Sequence, residues 1–371
     1  MQEVRSILIP DGEDELALRV LRCFAEAPHL RISVLSRDRE APIRLSRHHH
    51  RFLTHEVDGF NHDRVQVTKE AAKQVGADII FPTGLPGIRA VAEHKQELAS
   101  VAQLPPLPST EVLDAFADKL SFAEILDREG IPYPKIHRLL DGRLDEAQVA
   151  DIRFPVLVKP RNLQAGNGIR MCETSSQVVE YLANQQDRSD FFIQEFVSGT
   201  DMTCSVFSNE GEILAHTIQR VILRSHKPFH PSAAVEFVHD EGVLNLIQKL
   251  IGAVRWSGIV SFDLVMDEET NEAKVLEANP RYWRSLLGSL MAGVNFPYVA
   301  SLASEGRTIS RPAYRNVRYA KPDVVATLMV KSLCGRPSRM SGVAVGSLQY
   351  LLRDPLPDVS IQLSRLREYF R

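Results

Sequence analysis

The chain has 371 residues, more than one hydrophobic core usually serves, so two or three packed units are expected. Apolar residues make up 44% and charged residues 25%, ordinary values for a globular enzyme, and a net charge of -3 gives no basic footprint for nucleic acid or an acidic membrane. Small molecules are the expected partners.

The N-terminus runs from Met1 to Arg5 straight into an apolar stretch without a signal-peptide core, so the cytoplasm is the expected compartment. Ser6 to Pro10 reads as a buried strand, Asp14 to Ala27 as a helix, and Arg31 to Leu35 as a second strand. A helix over Asp63 to Val75, stopped by Gly76, precedes a strand at Asp78 to Phe81. This alternation predicts a small parallel α/β unit over residues 1–108. The turn after its first strand, Pro10-Asp11-Gly12-Glu13-Asp14, lacks GxGxxG, which argues against a dinucleotide there. Arg47-His48-His49-His50-Arg51 reads as surface, because neighbouring strand positions face opposite ways and the arginines repel a cation. Leu104 to Pro108 is a stiff connector.

Beyond it the pattern becomes α+β: strands at Phe154–Lys159, Phe191–Phe196, Met202–Phe207, Ile213–Val221, Gly258–Met266 and Ala273–Ala278, with helices near Ser175–Asn184 and Asp240–Val254. Ser285 to Ala303 is apolar but broken by Gly288, Gly293, Asn295 and Pro297, so two short helices are expected instead of a membrane span. Residues 306–371 carry no readable chemistry. The four cysteines, Cys23, Cys172, Cys204 and Cys334, form no CxxC pair and read as buried thiols. No GxSxG elbow is present, so a serine or thiol hydrolase has no support.

The chemistry concentrates in two strands flanking the turn Asp267 to Asn271. Pairing them as a hairpin sets Asp263 opposite Glu277, with Asn279 on the same face and Phe262, Leu264, Leu276 and Ala278 on the other. Two carboxylates so placed call for a cation, and Mg²⁺ fits because it takes hard oxygen ligands shared with phosphates. Pro280-Arg281 follows at once, putting a guanidinium where a transferring phosphoryl group needs positive charge. Lys159 ends an apolar strand shortly before a glycine-containing turn, Gly166-Asn167-Gly168, a combination suited to phosphates.

In order and spacing, residues from about Ala117 to Glu305 resemble the ATP-grasp superfamily of ligases, in its carbamoyl-phosphate-synthetase-like branch. Ala117-Asp118-Lys119 with Gly130-Ile131-Pro132 resembles the opening segment, whose lysine meets ATP phosphates. Phe154 to Pro160 resembles the strand carrying the second phosphate lysine, Lys159, and Gln164 to Ile169 the loop closing over the phosphates through Gly166, Asn167 and Gly168. Phe192 to Asp201 resembles the hinge, with Gln194, Glu195, Phe196 and Val197 at adenine and Asp201 at ribose; Asp201 is shorter than the usual glutamate. Glu277 to Arg281 resembles the metal motif. Ser261 stands where D-alanine ligases carry arginine, which speaks against that assignment and gives the grip on a carboxylate to Arg281, with Arg220 as a lesser candidate.

The resemblance implies α/β plus α+β architecture: a Rossmann-like pre-ATP-grasp domain at 1–108, a two-lobed ATP-grasp domain at 109–305 with a flexible lobe at about 150–197, and a C-terminal extension at 306–371. It implies a carboxylate–amine ligase using ATP and Mg²⁺ (or Mn²⁺), which forms an acyl phosphate and then an amide. Arg281 and Lys159 are its expected catalytic residues, and Asp263, Glu277 and Asn279 its metal ligands. The partners are a carboxylate and an amine, without nucleic acid or membrane; a homodimer is allowed. Three alternatives stand beside it. A bicarbonate-using carboxylase is disfavoured by the lack of a Met-Lys-Met carrier motif, and a full carbamoyl-phosphate synthetase by length. An ATP-binding module without turnover is disfavoured by the complete acid pair and both lysines.

Overall fold

The computed structural model describes residues 4–139, 152–161, 166–188, 190–225, 229, 231–321, 324–325 and 346–369. Three sheets organise it. The first holds β1 (Arg5–Ile9), β2 (Leu30–Ser36), β3 (Arg51–Thr54) and β4 (Ile79–Ile80) in the order β3-β2-β1-β4, all parallel. Ile7, Leu8 and Ile9 are fully buried, as expected of a strand covered on both faces. Helices Ala17–Phe24, His62–Val75 and Leu85–Glu93 supply that cover. The second is capped by the Asn61 side chain and ends at Gly76, whose φ of 61° closes the helix.

The second sheet contains β5 (Ile136–Arg138), β6 (Val156–Pro160), β7 (Arg170–Cys172) and β8 (Phe191–Glu195), antiparallel in the order β5-β8-β6-β7. Helix Ser175–Ala183 closes it through Val178 and Leu182. The third sheet holds β9 (Gly199–Asn209), β10 (Glu212–Leu223), β11 (Ala234–Val238), β12 (Gly258–Asp267), β13 (Ala273–Asn279) and β14 (Arg318–Ala320) in the order β13-β12-β9-β10-β11-β14. The last of these lies beyond Glu305 and adds the edge strand on β11.

One face of the third sheet is apolar. Phe262 meets Phe116 and Phe122 from helices Thr110–Ala117 and Lys119–Arg128, and Phe116 stacks on Trp256 at 4.4 Å. The other face of β9 and β12 is a polar row. Ser205 bonds Ser261 at 3.0 Å and Thr203 donates to Asp263 at 3.1 Å, while Cys204 and Phe262 between them are fully buried. Alternation at a period of two separates the faces.

The apolar stretch near residue 290 forms helices Leu286–Ala292 and Phe296–Ser304, bent by 87°; among the described residues no single helix is long and apolar enough to cross a membrane. Cys23, Cys172 and Cys204 are buried free thiols, while Cys334 lies outside the described residues.

Candidate functional site

A cavity of about 910 Å³ opens where the three sheets meet. The hairpin of β12 and β13 forms one wall, with Asp263 paired to Glu277 in register. Asn279 Nδ2 donates to Asp263 Oδ2 and Glu277 Oε1, each at 3.2 Å, and Asn279 Oδ1 accepts from Arg281 at 3.1 Å. Burial, and then the charge of Glu277, lifts the Asp263 carboxyl well above the usual carboxylate range. The expected trio is therefore together.

Leu276 requires a correction. The register skips from Asp263–Glu277 to Leu264–Val275, so a β-bulge makes Leu276 the extra residue. Val275 takes the core position, fully buried, and half-buried Leu276 lines the cavity beside Glu277 instead of facing the core. Strict alternation cannot foresee this.

Lys159, at the end of β6, is buried against the same cavity and donates to Gln194 Oε1 at 2.5 Å. Burial pulls its ammonium below the ordinary value, Lys119 adds to that, and Glu277 and Asp263 oppose it. The Gln194 oxygen thus orients the lysine, and Gln194 itself lines the cavity. Lys119 begins its helix behind the Asp118 cap and donates to the Arg161 carbonyl at 3.0 Å; Asp118 itself pairs with Arg161. Both lysines line the cavity.

Glu195, Phe196 and Val197 lie along the cavity where β8 passes into β9. The Glu195 and Phe196 amides donate away, to the Lys135 and Pro155 carbonyls. Asp201 also lines the cavity and pairs with Arg224 at 3.0 Å. Gly166 reaches it as well. Its φ of +79° suits glycine, and a Cβ there would come within 2.2 Å of the Phe229 carbonyl oxygen. Asn167 and Gly168 are exposed and off the lining, while Gln164 and Ala165 lie outside the described residues. Arg220 is not in the wall either: it grips Glu236 at 2.6 and 2.9 Å.

Residues 116–285 match the ATP-grasp domain family. That stretch, a little under half of the chain, is its ATP-grasp match. The chain is 23% identical to a D-aspartate ligase of Enterococcus faecium over 331 residues, covering 81% of this chain and 76% of the relative. A carbamoyl phosphate synthase large chain of Clostridium beijerinckii is 26% identical over 231 residues, 59% of this chain but only 21% of that protein. Among solved structures, N5-carboxyaminoimidazole synthetase from Staphylococcus aureus, complexed with ADP, superimposes with a TM-score of 0.66 at 15% identity, over 91% of this chain and 87% of that one.

Around the ATP-grasp domain the cavity wall includes residues that sequence reasoning missed. Asp14 and Glu15 come from the loop after β1, Arg284 from beyond the metal motif, and Tyr319 and Lys321 from the β14 strand and its end. The acid-rich tract Glu13-Asp14-Glu15 and the repeat of arginine at 281 and 284 were the available signals. Elsewhere, His62, His94 and Glu97 bring donor atoms within 4.8 Å of one another near the surface, but Lys69 already holds Glu97 at 2.8 Å.

Proposed function

We propose that the chain is an ATP- and Mg²⁺-dependent carboxylate–amine ligase. One observation carries this reading: Asp263 and Glu277 face each other on a strand pair in the wall of a cavity that also contains Lys159 and Arg281. Like charges in that register repel, so the pair calls for a cation. The Asn279 amide donates to both acids, the place a hard cation would take. The two carboxylates are the ligands, and the Asn279 Oδ1, which accepts from Arg281, would join them by giving up that bond, an all-oxygen set suited to Mg²⁺. When bound, Mg²⁺ supplies charge neutralisation and orientation of the γ-phosphoryl group.

Within this reading Lys159 and Lys119 bear on the phosphates under the loop of Gly166, Asn167 and Gly168. Gln194 positions Lys159. Backbone groups of Glu195, Phe196 and Val197 other than the Glu195 and Phe196 amides read adenine, Asp201 the ribose, and Arg281 the reacting carboxylate. A carboxylate oxygen attacks the γ-phosphorus and ADP leaves. The amine then attacks the acyl carbon, phosphate leaves, and the nitrogen's proton passes to solvent, leaving an amide. Residues 1–108 serve as the leading α/β unit, 109–305 as the nucleotide clamp and 306–371 as an extension whose strand β14 forms the sheet edge. The alignment with a D-aspartate ligase over most of both chains supports the amide-forming class.

Mg²⁺-dependent ADP release, screened over pairs of amino acids, small peptides and hydroxy acids, tests the reading. A productive pair is expected, with turnover lost in Glu277→Ala. No release with any pair, together with unchanged Mg-ATP binding in Glu277→Ala, would overturn it.

A further inference from the structure

The loop joining β1 to helix Ala17–Phe24 is built to hold one side chain still. Asp11, almost fully buried, accepts the Thr83 and Gly84 amides at 2.8 Å each. Gly12 donates to the Leu35 carbonyl at 2.9 Å and sits so close to Val34 that a Cβ would lie 2.4 Å from it. Buried Arg64 reaches the Pro10 carbonyl at 2.6 Å and Glu13 at 2.7 Å. The result is that Asp14 lines the ATP-grasp cavity with one carboxylate oxygen bonded to the Leu16 amide at 2.8 Å. Its other oxygen lies over Gly84, where a Cβ would come within 2.0 Å. Such bracing from three other segments exceeds what a solvated surface loop requires.

Two arginines share that end of the cavity. Arg284 is spoken for, since Glu15 holds it at 2.8 and 2.9 Å and so ties the loop to the metal-motif segment. Arg281 is fixed by Asn279 and by the Tyr282 carbonyl at 3.0 Å. It forms no ion pair with Asp14 within 4.0 Å, yet its charge acts on the Asp14 carboxyl against the upward pull of burial. An anion and a cation, each braced and held apart across one cavity, match a ligand carrying both signs of charge.

We propose that Asp14 is a specificity-determining residue that binds the ammonium of an amino acid, whose carboxylate is the one directed at Arg281. This rests on the ligase reading and adds the class of the carboxylate donor to it. An ammonium held on Asp14 is also kept from serving as the attacking amine.

The test is calorimetric titration of the full chain, saturated with Mg²⁺ and the non-hydrolysable adenylyl imidodiphosphate, with L- and D-amino acids and with the same acids lacking the amino group, such as succinate for aspartate. At least one amino acid should bind, its des-amino counterpart at least about 10-fold more weakly, as loss of a charge-assisted hydrogen bond implies. Asp14→Asn keeps the acceptor for Leu16 and is expected to weaken that amino acid about 10- to 100-fold with nucleotide affinity unchanged. Equal binding of the des-amino acid, an unchanged constant in Asp14→Asn, or no binding by any amino acid would overturn the assignment. ADP release with any other carboxylate would then leave the ligase reading standing, so the two fail separately.

Discussion

Replacing Lys159 by alanine removes a buried ammonium directed at the cavity and leaves Gln194 without its donor. We expect nucleotide-dependent turnover to fall by about 10²-fold or more, read as ADP release, the size found when one transition-state donor is lost. Arg281→Lys keeps the charge but loses the fork that spans Asn279 and the Tyr282 carbonyl. ATP affinity should stay near wild type while turnover drops about 10²-fold; equal rates would make Arg281 structural. Asp11 allows a test by pH. Burial first, and then Asp14, raises its carboxyl to about 7 from 3.8. The folded state therefore holds a proton that the unfolded chain has released. Its contribution to stability is complete below the unfolded value and is lost as pH rises through about 7. Thermal unfolding should show stability falling between pH 4 and 7, with a shallower slope in Asp11→Asn; identical slopes would place the proton elsewhere.

At the level of elements, the bulge in β13 decides which side chains reach the cavity. It leaves Asp263 and Glu277 face to face and turns Leu276 toward them. The start of β9 is equally constrained. Gly199 pairs with Asp267, and a Cβ there would lie 2.0 Å from the Met266 carbonyl oxygen, a backbone atom that cannot swing away. Gly199→Ala should thus push β9 from β12 and cost about 1–3 kcal/mol, measured by urea unfolding. The strand also carries Asp201 and Thr203, so we expect nucleotide affinity to fall with stability.

Across the whole molecule, the C-terminal helices Gly346–Arg353 and Pro355–Tyr369 are tied to the first α/β unit through a buried ion pair. Asp354 accepts from Arg22 at 3.3 Å, Ser46 at 2.8 Å and the Arg47 amide at 3.1 Å, and Arg22 also reaches the Asp354 carbonyl and Asp358. Asp354→Ala leaves Arg22 its bonds to Asp358 and the backbone carbonyl but unpairs Ser46 and the Arg47 amide, and should cost about 1–3 kcal/mol, the usual result of leaving buried donors unsatisfied. Limited proteolysis is expected to cut first near the C-terminus in that variant; an unchanged pattern would show that the pair does not hold the helices.

Much of this was legible from local pattern. Alternation placed Asp263, Glu277 and Asn279 on one strand face, and the break at Gly293 and Pro297 foretold two short helices, because both signals act over a few residues. The placement of Lys159 at the end of an apolar strand was likewise local, whereas its burial was not. The bulge at Leu276, the pairing of Gln194 with Lys159 and the capture of Arg220 by Glu236 were decided by packing between strands. The contribution of Asp14, Glu15 and β14 to the cavity wall belongs wholly to tertiary structure. Glu15 and Arg284 are 269 residues apart, and no periodicity reports which loop of one sheet is carried to the edge of another. Sequence by itself determined the chemistry available to the site; the meeting of three sheets determined which of it shares one cavity, since that depends on long-range burial and not on spacing.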